Sequence, residues 1–243
     1  MKFLPLGVGD AFSEMYFSSS LVVESEGHCL LVDCPHPLRK MLRLARNGPT
    51  VSDLQGIVLT HLHADHASGL EILGFYCRFV EGRRIPLFAH PNVLKDLWDR
   101  YLAGSMEYSI EAWDVSPTRR KLEDFFDVRP ITENNSTPFG PFTIRCRPTL
   151  HSLPTIALRL NAHGKELGYS GDTVFDPGLI EWLAEADLFI HECGNGYMHT
   201  EYEQLMGVQP EILERMRLIH FPDRFDQSTS KIRCLHEGDW QEV

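Results

Sequence analysis

No stretch of this 243-residue chain approaches the roughly 18 consecutive apolar residues that a membrane-spanning helix needs. The opening Met1-Lys2-Phe3-Leu4-Pro5-Leu6-Gly7 has an apolar run too short for a secretory leader, so a soluble cytoplasmic protein without a membrane partner is expected. The six cysteines (Cys29, Cys34, Cys77, Cys146, Cys193, Cys234) contain no C-x-x-C pair, which suggests neither a zinc ribbon nor a disulfide framework. Reduced, mostly buried thiols are expected instead. Basic residues are also scarce: 23 Lys+Arg against 34 Asp+Glu give a formal charge of −11, which raises the cost of docking a long polyanion and disfavours a large nucleic-acid partner. Low-complexity runs, long linkers and visible repeats are lacking. The 43% of apolar residues can fill a sizeable core, and residues 1–243 read as one domain.

Along the chain, segments rich in β-branched residues alternate with helical patterns. Strands are expected at Met1 to Leu6, Leu21 to Val23, Leu30 to Val32 and Gly56 to Leu59. In the second half they are expected at Phe142 to Arg147, Ile156 to Leu160, Leu167 to Ser170, Leu188 to His191 and Leu218-Ile219. Pro37 to Arg46 reads as a short helix with Met41, Leu42 and Leu44 on its apolar side, stopped by Gly48-Pro49, and Leu179 to Ala184 as a second helix. Similar orders of strands and helices in both halves suit two sheets packed face to face between helices, an α/β protein with an αββα four-layer sandwich. The region 92–137 is less regular. Its Trp98, Tyr101, Tyr108, Trp113, Phe125 and Phe126 read as core and loop packing, with a lid over the site or a homodimer contact as the alternatives.

The residues that carry chemistry begin at His61-Leu62-His63-Ala64-Asp65-His66, directly after a strand, where alternate side chains can converge on one point. Four side chains leave two divalent ions under-coordinated, so further ligands must come from distant segments. Polar residues at strand ends supply them: His151 in Thr149-Leu150-His151-Ser152, Asp172 in Ser170-Gly171-Asp172, and His220 in Leu218-Ile219-His220.

The ordered set Asp33, His61-x-His63-x-Asp65-His66, His151, Asp172 and His220 resembles the motif series of the metallo-β-lactamase fold superfamily, and covers nearly the whole chain. The resemblance implies that His61, His63 and His151 bind one metal ion, that Asp65, His66 and His220 bind the other, and that Asp172 bridges. Asp33 would orient the histidine loop by hydrogen bonds without touching metal. Two divalent ions about 3.5–4 Å apart can share a water and lower its pKa towards about 7, so that a bridging hydroxide becomes the nucleophile, with Asp65 counted among the catalytic residues. Zinc suits mixed imidazole and carboxylate ligands; manganese and iron accept the same donors.

Such a site specifies hydrolysis but not the bond hydrolysed. Here Leu188 to Cys193 (with His191-Glu192), then Tyr197-Met198-His199-Thr200, and Leu150 to Pro154 resemble segments of the ribonuclease Z branch, which cleaves phosphodiesters. By that resemblance His199 stands where the branch has its proton-donating histidine, and Glu192 where it has a supporting carboxylate. An alkoxide leaving group benefits from such an acid. A surface histidine at the start of a helix near Thr200 is the plainer reading of His199. Two features depart from the branch. The stretch from His151 to Asp172 is too short for the tRNA-gripping arm, and Asp33-Cys34-Pro35-His36-Pro37 lacks the glycine that commonly follows Asp-Cys, which leaves His36 as a loop or substrate-edge residue. His28, His90, His163, His191 and His236 read as surface or structural, and Gly194-Asn195-Gly196 as a plain turn that could approach a phosphate.

The leading expectation is therefore an arm-less ribonuclease Z-like phosphodiesterase with two divalent ions, acting on a small or cyclic phosphodiester. An ester, lactone or thioester hydrolase of the same fold is the alternative, with a non-catalytic metal-binding sensor behind it.

Overall fold

The computed structural model describes residues 1–110 and 116–243. Two seven-stranded sheets dominate. Along the first, the order is β16 (Gln241–Glu242), β1 (Lys2–Gly7), β2 (Ser20–Ser25), β3 (His28–Val32), β4 (Leu54–Leu59), β5 (Ile85–Ala89) and β8 (Phe126–Pro130). The second runs β15 (Arg233–Cys234), β14 (Met216–Ile219), β13 (Leu188–Glu192), β12 (Lys165–Tyr169), β11 (Thr155–Ala162), β10 (Phe142–Thr149) and β9 (Thr137–Phe139). A small hairpin pairs β6 (Tyr108–Ser109) with β7 (Thr118–Arg119). Each large sheet changes from antiparallel to parallel part-way across: β3, β4, β5 and β8 are parallel in one, and β12, β13, β14 and β15 in the other. The parallel strands therefore open their carboxyl ends along one edge, where α/β folds place ligands.

The alternation of side chains explains the layering. Phe3, Leu21, Val23, Leu30, Val32, Val58 and Phe88 point from the first sheet into a core shared with Ile144, Leu158 and Leu160 of the second. Their neighbours Leu4, Val22, Leu31, Ile57, Leu59 and Leu87 point the other way, onto helices Leu38–Leu44, Leu70–Phe75 and Pro91–Asp96. Leu179, Ile180 and Leu183 of helix Pro177–Leu183 cover the second sheet. Each fully buried Leu or Phe contributes about 1.5–3 kcal/mol, so a register slip that turned one strand over would be prohibitive.

The expected strands and both helices are present, with ends displaced by a few residues. One face assignment fails. Leu44 is 70% exposed, and Leu38, Met41 and Leu42 form the buried side of the first helix, because the burying positions are spaced by three and four residues and Leu44 falls outside that stripe. The region 92–137 contributes helices and the strand β8, with Phe125 and Phe126 fully buried and Trp98 packed on the outer core. Tyr108 is exposed, and Trp113 lies outside the described residues. All six cysteines are free, five of them buried. Among the described residues no helix is long and apolar enough to cross a membrane.

Candidate metal centre

Every candidate ligand lies just past the end of a strand on the shared edge: His61 to His66 after β4, His151 after β10, Asp172 after β12 and His220 after β14. The chain turns sharply there. Asp33 (φ 58°), His220 (φ 59°) and Gly171 (φ 58°) all adopt the left-handed conformation, which costs a non-glycine residue about 1–2 kcal/mol and is retained mainly where surroundings impose it. At Gly171 a Cβ would also stand 2.7 Å from the Ile156 carbonyl oxygen, so the turn that delivers Asp172 needs glycine.

The seven residues fall into two groups that share Asp172: His61, His63, His151 and Asp172, and Asp65, His66, Asp172 and His220. In the first, His63 Nδ1 stands 3.1 Å from His61 Nε2 and 3.0 Å from His151 Nε2. The far nitrogens fix the tautomers. His61 Nδ1–H donates to Thr60 Oγ1 (3.0 Å) and His151 Nδ1–H to the Met198 carbonyl (3.0 Å), so both Nε2 atoms carry bare lone pairs. Burial holds the pKa of all three imidazoles below the usual value. Three neutral rings thus aim lone pairs at one point, an arrangement unfavourable for one another and suited to a cation.

In the second group, His66 Nε2 lies 3.3 Å from Asp65 Oδ2 and 3.3 Å from Asp172 Oδ1, and His220 Nε2 lies 3.2 Å from Asp65 Oδ2 and 3.6 Å from Asp172 Oδ2. Burial alone would lower the pKa of His66 and His220, yet the facing carboxylates raise both, that of His220 to about 9. Asp65 and Asp172 are correspondingly held low despite their burial. Positive charge is required between these carboxylates. Tetrahedral zinc with ligands at roughly 2.0–2.1 Å would separate its donor atoms by about 3.3 Å, close to the spacings in both groups. His66 Nε2 and Asp172 Oδ1, both buried, lack a hydrogen-bond partner, as atoms awaiting a metal would.

Asp33 is fully buried and touches neither group's centre. It accepts from the Thr60 N–H (2.8 Å), the Thr60 hydroxyl (2.9 Å) and His66 Nδ1–H (2.8 Å). It therefore orients His66 directly and His61 through Thr60, one histidine in each group.

Glu192 is 1% exposed. One carboxylate oxygen accepts from the Thr173 N–H (2.7 Å) and His199 Nδ1–H (3.1 Å), the other from the Gly194 N–H (3.0 Å). Burial raises the Glu192 pKa, and Glu192 raises that of His199 against its own partial burial. His199 is not a helix cap: helix Tyr202–Leu205 is capped by Glu201, and His199 stacks on His220 with ring centroids 5.2 Å apart. With Nδ1 engaged, Nε2 is its free nitrogen.

A cleft of about 700 Å³ opens over the centre, lined by His63, Asp65, Asp172, His199 and His220. Gly194 and Asn195 also line it, so the glycine turn does reach the site, whereas His36 is exposed, with its N–H on Ser68, and does not line the cleft. The loop Asp10-Ala11-Phe12 and Arg224, which no sequence motif flagged, line it as well. The available signal was Gly7-x-Gly9 at the end of the first strand: a Cβ at Gly7 would stand 2.1 Å from the Ser18 carbonyl oxygen, the mark of a close backbone approach. The remaining histidines are structural or peripheral; His90, for example, caps its helix through Asn92 and meets Glu133 at 3.1 Å.

The chain belongs to the family of the anti-Pycsar protein Apyc1, whose model matches residues 1–237. An anti-Pycsar protein Apyc1 from Saccharibacillus brassicae is 31% identical over 251 residues, covering 98% of both chains. Among solved structures, the metallo-β-lactamase fold protein YhfI from Bacillus subtilis aligns with a TM-score of 0.75 at 18% identity over 99% of both chains. Human tRNase Z, short form, aligns at 0.72 and 20% identity, covering 100% of this chain and 99% of its own. The fold is thus that of the metallo-β-lactamases, and the family is more specific than the superfamily legible in the motifs.

Proposed function

We propose that this chain is a two-metal phosphodiesterase that opens a cyclic nucleotide to its linear monophosphate. The anti-Pycsar name borne by relatives aligned over almost the whole chain implies a small cyclic nucleotide as target, and the ribonuclease Z-like segments around His151 and His199 favour phosphodiester chemistry over ester cleavage. A cleft of about 700 Å³ suits a mononucleotide, and an acidic surface does not favour a long RNA.

Divalent ions held by the two groups would supply Lewis acidity towards the phosphoryl oxygens and bring the pKa of a shared water towards about 7. His61, His63 and His151 would hold one ion and Asp65, His66 and His220 the other, with Asp172 between them. Asp65 orients the attacking water. With one proton of that water released to solvent, its oxygen would bond to phosphorus while the bond from phosphorus to the ribose oxygen breaks, and His199 Nε2 would deliver a proton to the departing alkoxide. Glu192 holds the His199 ring by Nδ1 and favours its protonated form.

The observation that carries the reading is His199, anchored on buried Glu192 at the mouth of the centre, where an ester hydrolase with a stabilised leaving group would have little use for an acid. The test is a panel of cyclic nucleotides, carboxylic esters and lactones with metal-loaded protein. Cyclic nucleotides should be hydrolysed with the highest kcat/KM and chelation should abolish turnover; preferential ester or lactone cleavage overturns the proposal.

A further inference from the structure

The loop that follows β1 carries a side chain with no role in the fold. Phe12 is 89% exposed, yet its backbone is closely tied down: its N–H donates to Asp10 Oδ1 (2.9 Å), Asp10 N–H to the Phe221 carbonyl (3.3 Å), and Gly9 N–H to the Phe17 carbonyl (2.9 Å). A second clamp comes from the segment after β14. Asp223 accepts from Ser13 Oγ (2.5 Å), the Glu14 N–H (2.8 Å) and the Met15 N–H (3.3 Å). The next residue, Arg224, lines the same cleft as Phe12, and among the described residues no carboxylate pairs with it.

A phenyl ring left in water forfeits the gain of burial, and this one stands on a pinned loop at the rim of a cleft whose floor is the metal centre. An aromatic face held rigidly beside a phosphodiester site offers a nucleobase a stacking surface, tolerant of base identity because every base has a π-face. A guanidinium on the same rim meets a phosphate charge that the acidic chain would otherwise repel.

We propose that Phe12 is the base-binding residue of this cleft, stacking on the nucleobase of the bound cyclic nucleotide, with Arg224 guiding its phosphate and Asp223 locking both to one frame. This rests on the reading of the chain as a cyclic-nucleotide phosphodiesterase, and gives that reading its means of holding the base.

The test compares wild type, Phe12→Ala, Phe12→Trp and Arg224→Ala on a nucleoside cyclic phosphate and on a ribose cyclic phosphate without base. Calorimetric binding of the linear nucleoside monophosphate to metal-loaded protein is measured alongside. Base stacking is worth enough that Phe12→Ala should raise KM for the nucleotide about tenfold more than for the base-free compound, with kcat little changed, and weaken nucleotide binding by about the same factor. Phe12→Trp should restore both. Arg224→Ala should raise KM on both substrates alike and reduce the salt dependence. Equal losses on the two substrates with Phe12→Ala, or none, overturn the proposal while leaving the phosphodiesterase reading standing. A wild-type protein that neither binds nor hydrolyses any nucleotide overturns both.

Discussion

Replacing Asp33 by Asn changes one oxygen into an NH₂ group and nothing else in shape, at a carboxylate whose two oxygens face only donors: the Thr60 N–H and hydroxyl on one side, His66 Nδ1–H and the same hydroxyl on the other. Either orientation of the amide is wrong. If the NH₂ faces His66, the ring must shift its proton to Nε2, the atom turned towards Asp65 and Asp172, and metal binding there must first remove it. If the NH₂ faces Thr60, a buried N–H is orphaned at a cost of about 1–3 kcal/mol. Loss of a carboxylate that orients a metal histidine typically weakens the ion by about 10–100-fold, or about 1.4–2.7 kcal/mol. The group containing His66 should bear that full loss. The group containing His61, reached only through Thr60, should lose less. Competition against a fluorescent chelator that resolves two binding steps reads both affinities, and unfolding of metal-free protein reads the cost to the fold. Two unchanged affinities, or a loss confined to the His61 group, would refute the assignment of Asp33 as the common anchor.

His199→Ala should retain both ions by elemental analysis and lower kcat about 10²–10⁴-fold on a substrate with an alkoxide leaving group, but far less on one releasing p-nitrophenolate. Equal losses on the pair would make it a positioning residue. His191, fully buried with Nε2 unpartnered, has its pKa pushed down to about 4 by burial, so it folds neutral while the unfolded chain binds a proton below about pH 6.5. Its contribution is therefore present above pH 6.5 and falls as pH drops towards 4, by about 3 kcal/mol over the window. Urea unfolding of chelator-treated protein should show that His191→Leu flattens this part of the wild-type pH profile, and parallel profiles would disprove the cause.

The framework strands were legible because burial on both faces demands unbroken apolar runs, as in Leu30-Leu31-Val32 and Phe189-Ile190, and the ligands because a histidine or aspartate just past such a run can only sit at the sheet edge. What stayed hidden depends on contacts distant in sequence. β5 and β8 are short and proline-containing, and the register that makes them strands is set by β4 for β5 and by β5 in turn for β8. The resemblance assigned supporting roles to Asp33 and Glu192, but the donors that each carboxylate accepts from lie on other segments and show only in the fold. The role of Phe12 was invisible because its clamp, Asp223, lies at the other end of the chain. Leu44 shows the opposite error, an apolar residue taken as buried although its helical angle points it to water.

The proposed reaction is attack of water on phosphorus in a cyclic nucleotide at this centre. Hydrolysis in ¹⁸O-labelled water, followed by mass spectrometry of the linear product, tests it most directly. The expected product is a nucleoside monophosphate carrying one ¹⁸O in its phosphate group, formed by metal-loaded wild type and not by Asp172→Ala. Label in the ribose, or no conversion of any cyclic nucleotide by protein loaded with two metal ions, would contradict it.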